Sequence, residues 1–243
     1  MKRNENWNPK VKKIIKLAVW FLVFMCCSCA DIQDAMPGLS YSDRTLSKGI
    51  KECAQVILKK SFLDLSDKEN DFKRDLSQRI EVHNPAFIKT LKRLKKYESF
   101  NEIFVKADDQ IKLLFTQKYE IFAAMVNECL LPVEPEFLMS AGVDEISHYY
   151  SKAIGWEKVV KSNLEGDSVF IDLKTEFDDF LKLYNEIPYL DEKVEIDFLS
   201  TISDQISNSI LTQMSYHEQQ IRNNPSLRET DTLKKIFADY DPI

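Results

Sequence analysis

Residues 100–130 read FNEIFVKADDQIKLLFTQKYEIFAAMVNECL, and this stretch decides the fold class. Its apolar side chains return every three or four residues, which is the period of a helix that buries one face. They are Ile103, Phe104, Ala107, Ile111, Leu114, Phe115, Phe122, Met125 and Cys129. The stretch therefore predicts a long amphipathic helix packed on a core.

The flanking residues predict where this helix begins and ends. The motif Ser-Phe-Asn-Glu at 99–102 has the spacing of a capping box, in which a serine oxygen and a glutamate carboxylate satisfy free backbone N–H groups. The helix is therefore expected to begin at Phe100. Pro132 and Pro135 are expected to end it near Leu130, because proline cannot continue a helix.

The helical period continues over most of the chain after residue 43. The other predicted helices are 43–62 with a cap at Ser42 or Asp43, one that begins at Asn84-Pro85, 144–164, 169–187, 192–223 and a short last helix from Thr230. No run of useful length alternates with the period of a strand, and no repeat occurs at a fixed spacing. We therefore predict a single all-α, multi-helix, bundle-like domain over residues 43–240.

The charges and the glycines exclude several classes of function. The chain has 33 Lys and Arg against 39 Asp and Glu, and residues 1–28 hold six of the basic and one of the acidic residues. The rest of the chain thus has 27 basic and 38 acidic residues, a net charge of −11, which does not suit a nucleic-acid-binding protein. The five glycines are scattered, so we expect neither a phosphate-binding loop nor a bound cofactor.

The first 29 residues have the layout of a secretory signal. Basic residues at Lys12, Lys13 and Lys16 precede the apolar run LAVWFLVFM at 17–25, and the sequence CCSC follows at 26–29. The apolar run is shorter than the roughly 20 residues that span a bilayer. Its length and basic start therefore favour a signal peptide.

A signal that ends in cysteine is typical of a bacterial lipoprotein, which is cut before a cysteine whose thiol is acylated. Cys29 is the expected site because the small Ser28 precedes it, and Cys27 is the less usual alternative. Residues 1–28 would then be the signal peptide and residues 29–42 a lipidated, flexible tether. An ordinary secreted protein and an uncleaved membrane anchor are the alternatives.

Acylation of Cys29 would hold the protein on a membrane, because two acyl chains give stable anchoring. Ala30 follows the cysteine, and by analogy with enterobacterial sorting this favours the periplasmic face of the outer membrane. The expected partners are this membrane and another envelope protein.

Cys53 and Cys129 lie at apolar positions of helical patterns, which favours buried free thiols, although an oxidising envelope also allows them to pair.

The sequence EQQIRNNPSLRETDTLKKIF at 218–237 resembles the end of an uncharacterised bacterial lipoprotein family, domain-of-unknown-function family 4197. Leu46–Glu52, Leu91–Ala107 and Tyr184–Pro188 are similar to further elements of that family, so the resemblance runs over about residues 42–239. The chain departs from the family near Tyr150, where relatives carry an arginine after an aromatic pair. The resemblance implies a helical, membrane-tethered envelope protein of unknown activity, and it supplies no catalytic residue.

One run of basic residues stands out in the chain after residue 28, which is acidic overall. It consists of Lys89, Lys92, Arg93, Lys95 and Lys96, and the expected inner face of the same helix consists of Phe87, Ile88, Leu91 and Leu94. The run is a candidate contact with anionic lipid or with a partner. The alternative is a solvated helix face whose charges pair with the acidic body.

Two arginines in the C-terminal stretch 218–237 are further candidate contact residues. Arg222 and Arg228 are expected either to pair with acids that pack the last helix on the body or to form a docking surface for another envelope protein.

The histidines predict neither a metal site nor a catalytic site. Asp144 and His148 are four residues apart on one helix, but a metal site needs three or four ligands and no second pair stands out. His83 and His217 have no nucleophile nearby in the sequence. We therefore predict no metal ligands and no catalytic residues, and a protein that is not an enzyme.

Two functional hypotheses follow, and hydrolytic catalysis is a third that no motif supports. The first is a lipid-anchored envelope protein that binds a partner or supports the envelope without catalysis. The second is a helical pocket for an apolar small molecule or lipid. Its candidate lining consists of Phe104, Phe115, Phe122, Trp156, Phe170, Phe177 and Phe180, which are equally suited to a plain core.

Overall fold

A computed structural model of the chain describes residues 41–67, 69–128, 142–188, 190 and 193–237. These residues form helices and connecting turns with no strand, so the all-α prediction is confirmed. The helices are α1 Tyr41–Leu65, α2 Phe72–His83, α3 Pro85–Arg93, α4 Tyr97–Gln117, α5 Tyr119–Glu128, α6 Val143–Ile154, α7 Trp156–Glu165, α8 Ser168–Asn185, α9 Phe198–Asn223, a 3₁₀ turn Pro225–Leu227 and α10 Asp231–Ile236.

Several predictions fall on residues outside this description. They are the signal peptide at 1–28, the acylation site Cys29, the tether up to residue 40, the second candidate thiol Cys129 and the helix end at Leu130 to Pro135. No helix among the described ranges is both long enough and apolar enough to cross a bilayer.

The predicted helix over 100–130 is two helices, and its predicted start is wrong. The turn after α3 leads directly into α4, so α4 begins at Tyr97 and Ser99 lies inside its first turn instead of capping it. The helix then breaks at Lys118, whose N–H still bonds to the Leu114 carbonyl at 2.9 Å. The break changes the direction of α5, and the Phe122 ring contacts Phe62 of α1 and Trp156 of α7.

The predicted helix over 144–164 is also two helices. Gly155 adopts φ 67° and ψ 43°, a left-handed conformation that glycine enters without a Cβ clash. Its N–H bonds to the Ser151 carbonyl at 2.9 Å and ends α6, and α7 begins at the next residue, Trp156. The apolar period continues across the glycine, and for this reason the pattern alone predicts one helix.

The predicted start of α9 at Glu192 is wrong. The helix begins at Phe198, where the Asp197 side chain accepts a hydrogen bond from the Ser200 N–H at 3.0 Å. Residues 193–197 are not helical and pack on the end of α8. There the Asn185 amide exchanges two hydrogen bonds of 2.9 Å with the backbone N–H and carbonyl of Val194.

The remaining predicted helices are found close to their predicted bounds. α1 begins at Tyr41, so the predicted caps Ser42 and Asp43 and the last two residues of the predicted tether lie inside this helix. α3 begins at Pro85 after Asn84, and Thr230 caps α10 by accepting from the Leu233 N–H at 3.1 Å. Helix α2 was not predicted. Its cap is Asp71, which accepts from the Arg74 N–H at 2.8 Å.

The core forms where α9 crosses α1, with the other helices arranged around this crossing. Phe177 of α8 lies 5.9 Å from Phe104 of α4 and 4.8 Å from Phe198 of α9, measured between ring centroids. At the other end of α4, Phe62 lies 5.1 Å from Phe115 and 5.2 Å from Phe122. These ring contacts join helices that are far apart in the sequence, and they pack both ends of α4 against its neighbours.

Replacing Phe177 with alanine should lower the free energy of unfolding by about 3–5 kcal/mol, because the ring is fully buried among three other phenylalanines. Leu183→Ala on the same helix is the control, since Leu183 is 68% exposed and its loss should change stability by less than about 0.5 kcal/mol. Urea unfolding of both variants measures the difference. Equal effects would contradict the packing described.

Candidate functional site

The basic run forms an exposed surface at the end of α3 and in the turn that leads to α4. We call this the basic surface, and it consists of Lys89, Lys92, Arg93, Lys95 and Lys96. All five side chains are exposed, whereas Phe87, Ile88 and Leu91 of the same helix are buried as expected. Leu94 does not join them. It is 39% exposed because it is the C-cap residue, where the chain leaves the helical path.

The turn that carries the basic surface has the geometry of a Schellman motif. The Lys96 N–H bonds to the Leu91 carbonyl at 2.9 Å, and the Lys95 N–H bonds to the Lys92 carbonyl at 3.3 Å. Lys95 has φ 57°, in the left-handed region where glycine is usual and a side chain is strained. A lysine therefore occupies the turn position that would favour glycine.

Only part of the charge of the basic surface is neutralised within the described chain. The Lys92 ammonium lies 2.9 Å from a Glu81 oxygen and 5.0 Å from the centre of the Tyr97 ring. The hydrogen bond to Glu81 raises the pKa of Lys92. No carboxylate of the described residues bridges to the other four cations, so the alternative of a fully paired helix face holds for Lys92 alone.

The two C-terminal arginines are buried. Arg222 places Nε 3.0 Å and Nη2 2.9 Å from the same oxygen, Oε2 of Glu218, one turn earlier on α9. Both side chains are almost fully removed from solvent, at 6% and 1% exposure. The expected pairing with an acid is thus found for Arg222, which does not lie on an accessible docking surface.

Arg228 joins the end of α9 to the last helix. Its Nε donates to the Ile221 carbonyl at 3.2 Å and its Nη2 donates to the Arg222 carbonyl at 2.7 Å. These carbonyls belong to the last turn of α9, which has no further helical N–H groups to bind them. The guanidinium also lies 5.8 Å from the centre of the Phe237 ring, and Arg228 is 3% exposed. It too is absent from the accessible surface.

Cys53 and Tyr150 lie close to the Glu218–Arg222 pair. Burial raises the pKa of the Cys53 thiol and of the Tyr150 hydroxyl, and the Glu218 charge raises both further. Burial also raises the pKa of Glu218 to about 7, although Arg222 acts in the opposite direction. A thiol with a raised pKa and 2% exposure is poorly suited to act as a nucleophile. Cys53 is free and buried, as expected for one of the two thiols.

A surface groove of about 770 Å³ lies between the end of α8 and the segment 193–197. Its walls carry three lysines and four carboxylates. They are Lys174, Lys182, Lys193, Asp178, Glu186, Glu195 and Asp197. Lys174 is hydrogen-bonded to Asp178. The groove presents both charge signs side by side, and this arrangement does not select one class of ligand.

The aromatic residues considered for an apolar pocket belong to the core. Phe104, Phe115, Phe122, Trp156, Phe170 and Phe177 are all buried, and Phe180 is half-buried against the core. Phe122 stacks on Trp156 with ring centroids 5.8 Å apart. These rings therefore fill the interior.

The histidines lie apart from one another. His217 lies 2.8 Å from an Asp64 oxygen, where it ties α9 to α1. His148 and Asp144 are exposed on α6, and His83 is exposed at the end of α2. Over the ranges that the structure describes, no three His, Cys, Asp or Glu side chains form a group that could hold a metal ion.

Residues 157–238 match the family model described as "Protein of unknown function (DUF4197)". The resemblance to this family is confirmed. The matched region covers about a third of the chain and runs from α7 to the end of α10. Neither the curated proteins nor the solved structures gave a match.

The DUF4197 region contains the features that pack the C-terminal helices. It includes Asn185, the Glu218–Arg222 pair and Arg228. The basic surface precedes this region, and the similarity that the sequence indicates at Leu91–Ala107 stays a prediction.

Sequence reasoning missed Glu218 as a buried residue. It lies four residues after Met214 on the apolar stripe of α9, and Arg222 follows after four more. An acidic residue on the apolar stripe of a helix, with an arginine one turn away, predicts a buried ion pair. The strain at Lys95 gives no such signal, because a lysine near a helix end is ordinary.

Lys95→Gly should raise the free energy of unfolding by up to about 1 kcal/mol, because glycine relieves the left-handed strain. Lys96→Gly is the matched control. Lys96 has an ordinary φ of −106°, so its replacement should be neutral or destabilising. Urea unfolding measures both, and a loss of stability in Lys95→Gly would contradict the turn geometry.

The stability contributed by Glu218 should decrease as the pH rises from about 4.5 to about 7. Because the folded-state pKa of about 7 lies above the ordinary value of 4.5, the folded protein binds the proton more tightly than the unfolded chain over this range. Glu218→Gln cannot titrate, so its unfolding free energy should lack that decrease. Urea unfolding at several pH values gives both slopes, and identical slopes in the two proteins would refute the prediction.

Proposed function

We propose that the protein is a lipid-anchored cell-envelope protein whose helical domain has a non-catalytic role, as a partner-binding or envelope-supporting module. The single observation that carries the proposal is the N-terminal pattern of lysines, a short apolar run and Ser28-Cys29. Acylation of Cys29 would fix the domain to the bilayer, and Ala30 after it favours the periplasmic face of the outer membrane.

The packing of the described residues supports a non-catalytic role. Large aromatic side chains fill the interior, and the buried ionic groups Glu218, Arg222 and Arg228 bond to one another or to backbone carbonyls. Such groups hold helices in register. Catalytic groups instead need a cleft where a substrate can reach them.

The test is the chemical state of Cys29 in the full chain made by a bacterial cell. The wild type should incorporate a fatty-acid label and sediment with membranes. The measured mass of its mature form should equal that of a chain that begins at Cys29 and carries acyl chains there. Cys29→Ser should lose the label, because serine has no thiol to acylate. Cys26→Ser and Cys27→Ser are the matched controls and should keep it.

Two results would overturn the proposed anchor. One is a mature wild-type chain that carries no fatty acid. The other is a label that persists in Cys29→Ser and is lost in Cys27→Ser, which would move the anchor to the neighbouring thiol.

A further inference from the structure

We propose that the basic surface is a second membrane contact, which binds the anionic phospholipid headgroups of the bilayer that holds the acyl chains. Lys89, Arg93, Lys95 and Lys96 would contact phosphates, and Leu94 would enter the interface. The inference rests on the proposed function in one respect, since the anchor is what brings this surface to the bilayer.

The first support is the distribution of charge. The chain after residue 28 has a net charge of −11, and acids elsewhere on it pair with lysines such as Lys106 and Lys112. Of the basic surface, Lys92 alone bridges to a carboxylate of the described residues. A cluster of cations that no described carboxylate bridges favours an anionic partner.

The second support is the strained position of Lys95. A left-handed residue at the end of a helix is normally glycine, and a side chain there costs stability. Residues held in such conformations cluster at functional sites. Here the strain keeps an additional charge at the tip of the turn, between the exposed Leu94 and Lys96.

The third support is the exposed apolar side chain within the cationic cluster. Leu94 is 39% exposed and lies between Arg93 and Lys95 in the sequence. Segments that lie in the membrane interface combine basic residues with apolar side chains in this way. A partner protein would also accept the charge, but the anchor places a bilayer within reach first.

The chain between anchor and fold is short enough to keep the domain at the bilayer. Eleven residues, 30–40, separate Cys29 from the first residue of α1, and they span at most about 40 Å. A tether of that length raises the effective concentration of headgroups at the domain, which favours even a weak surface contact. The bilayer is therefore the occupant that this geometry favours.

The test measures how fast individual lysines are acetylated in the purified mature chain, by mass spectrometry, on two kinds of vesicle. One vesicle is phosphatidylcholine alone, and the other also contains phosphatidylglycerol. Lys89, Lys95 and Lys96 should react several-fold more slowly on the phosphatidylglycerol vesicles, whereas the exposed Lys158 and Lys235 should react equally on both. The protection should disappear in about 1 M salt, where the screening length falls to about 3 Å.

Charge-matched variants separate the basic surface from net charge. One variant replaces Lys89, Arg93, Lys95 and Lys96 with glutamine and keeps Lys92, and it should bind phosphatidylglycerol vesicles roughly a thousandfold more weakly once the anchor is removed by Cys29→Ser. The control variant replaces four other exposed lysines with glutamine in the same Cys29→Ser protein, and it should bind as strongly as Cys29→Ser alone. These lysines are Lys158, Lys182, Lys193 and Lys235. Equal loss in the two variants would overturn the proposal.

Lys95→Gly gives a readout that a purely structural lysine would not give. It should raise the melting temperature by roughly 2 °C and at the same time speed the acetylation of Lys96 on phosphatidylglycerol vesicles. Equal lysine reactivity on the two vesicles would refute the membrane contact, as would protection that occurs in whole cells but never on lipid alone, which would identify an acidic protein as the partner.

The N-terminal peptide in the same spectra reports separately on the anchor. Its mass shows whether Cys29 is acylated, whatever the lysines show. A failure of the proposed anchor and a failure of the basic surface are therefore distinguishable.

Discussion

The position of the C-terminal helices depends on one buried ionic cluster at the end of α9. Glu218 holds Arg222 one turn away, and Arg228 binds the carbonyls of Ile221 and Arg222 after the chain has turned at Pro225. Removing Glu218 would leave the Arg222 charge in an interior that cannot solvate it, whereas removing Arg222 would leave Glu218 buried and protonated. These bonds hold the chain as it leaves α9, and α10 then packs against α1.

Contacts on α1 complete this arrangement. Thr230 caps α10 and also donates from its hydroxyl to Glu52 at 2.9 Å, while Lys60 lies 3.2 Å from Glu229. Five residues of the DUF4197 stretch at 218–237 thus have a packing role: Glu218 and Arg222 pair on one face, Pro225 begins the turn, Arg228 binds carbonyls of α9 and Thr230 caps α10. Its resemblance to a family need not indicate a catalytic site.

The sequence predicted the fold class well, because apolar period and caps are local properties. The start of α3 at Pro85 and the cap at Thr230 depend on single residues, and both were found. The breaks at Lys118 and Gly155 could not be predicted from the spacing of apolar residues, because the apolar stripe continues through both positions. Tertiary packing decides where the helix bends. Asn185 could not be assigned a partner either, because Val194 reaches it only through the folded loop. The basic residues were found from sequence, whereas the strain at Lys95 and the burial of Arg228 required the structure.

The position of α1 has a mechanical consequence. This helix follows the N-terminal segment directly, and it also packs against α4, α5, α9 and α10. Under the proposed anchoring, a pulling force on the acyl chains would enter the fold along the axis of its most central helix. The force would shear several interfaces in parallel instead of peeling one edge, so the domain would resist extraction as a unit.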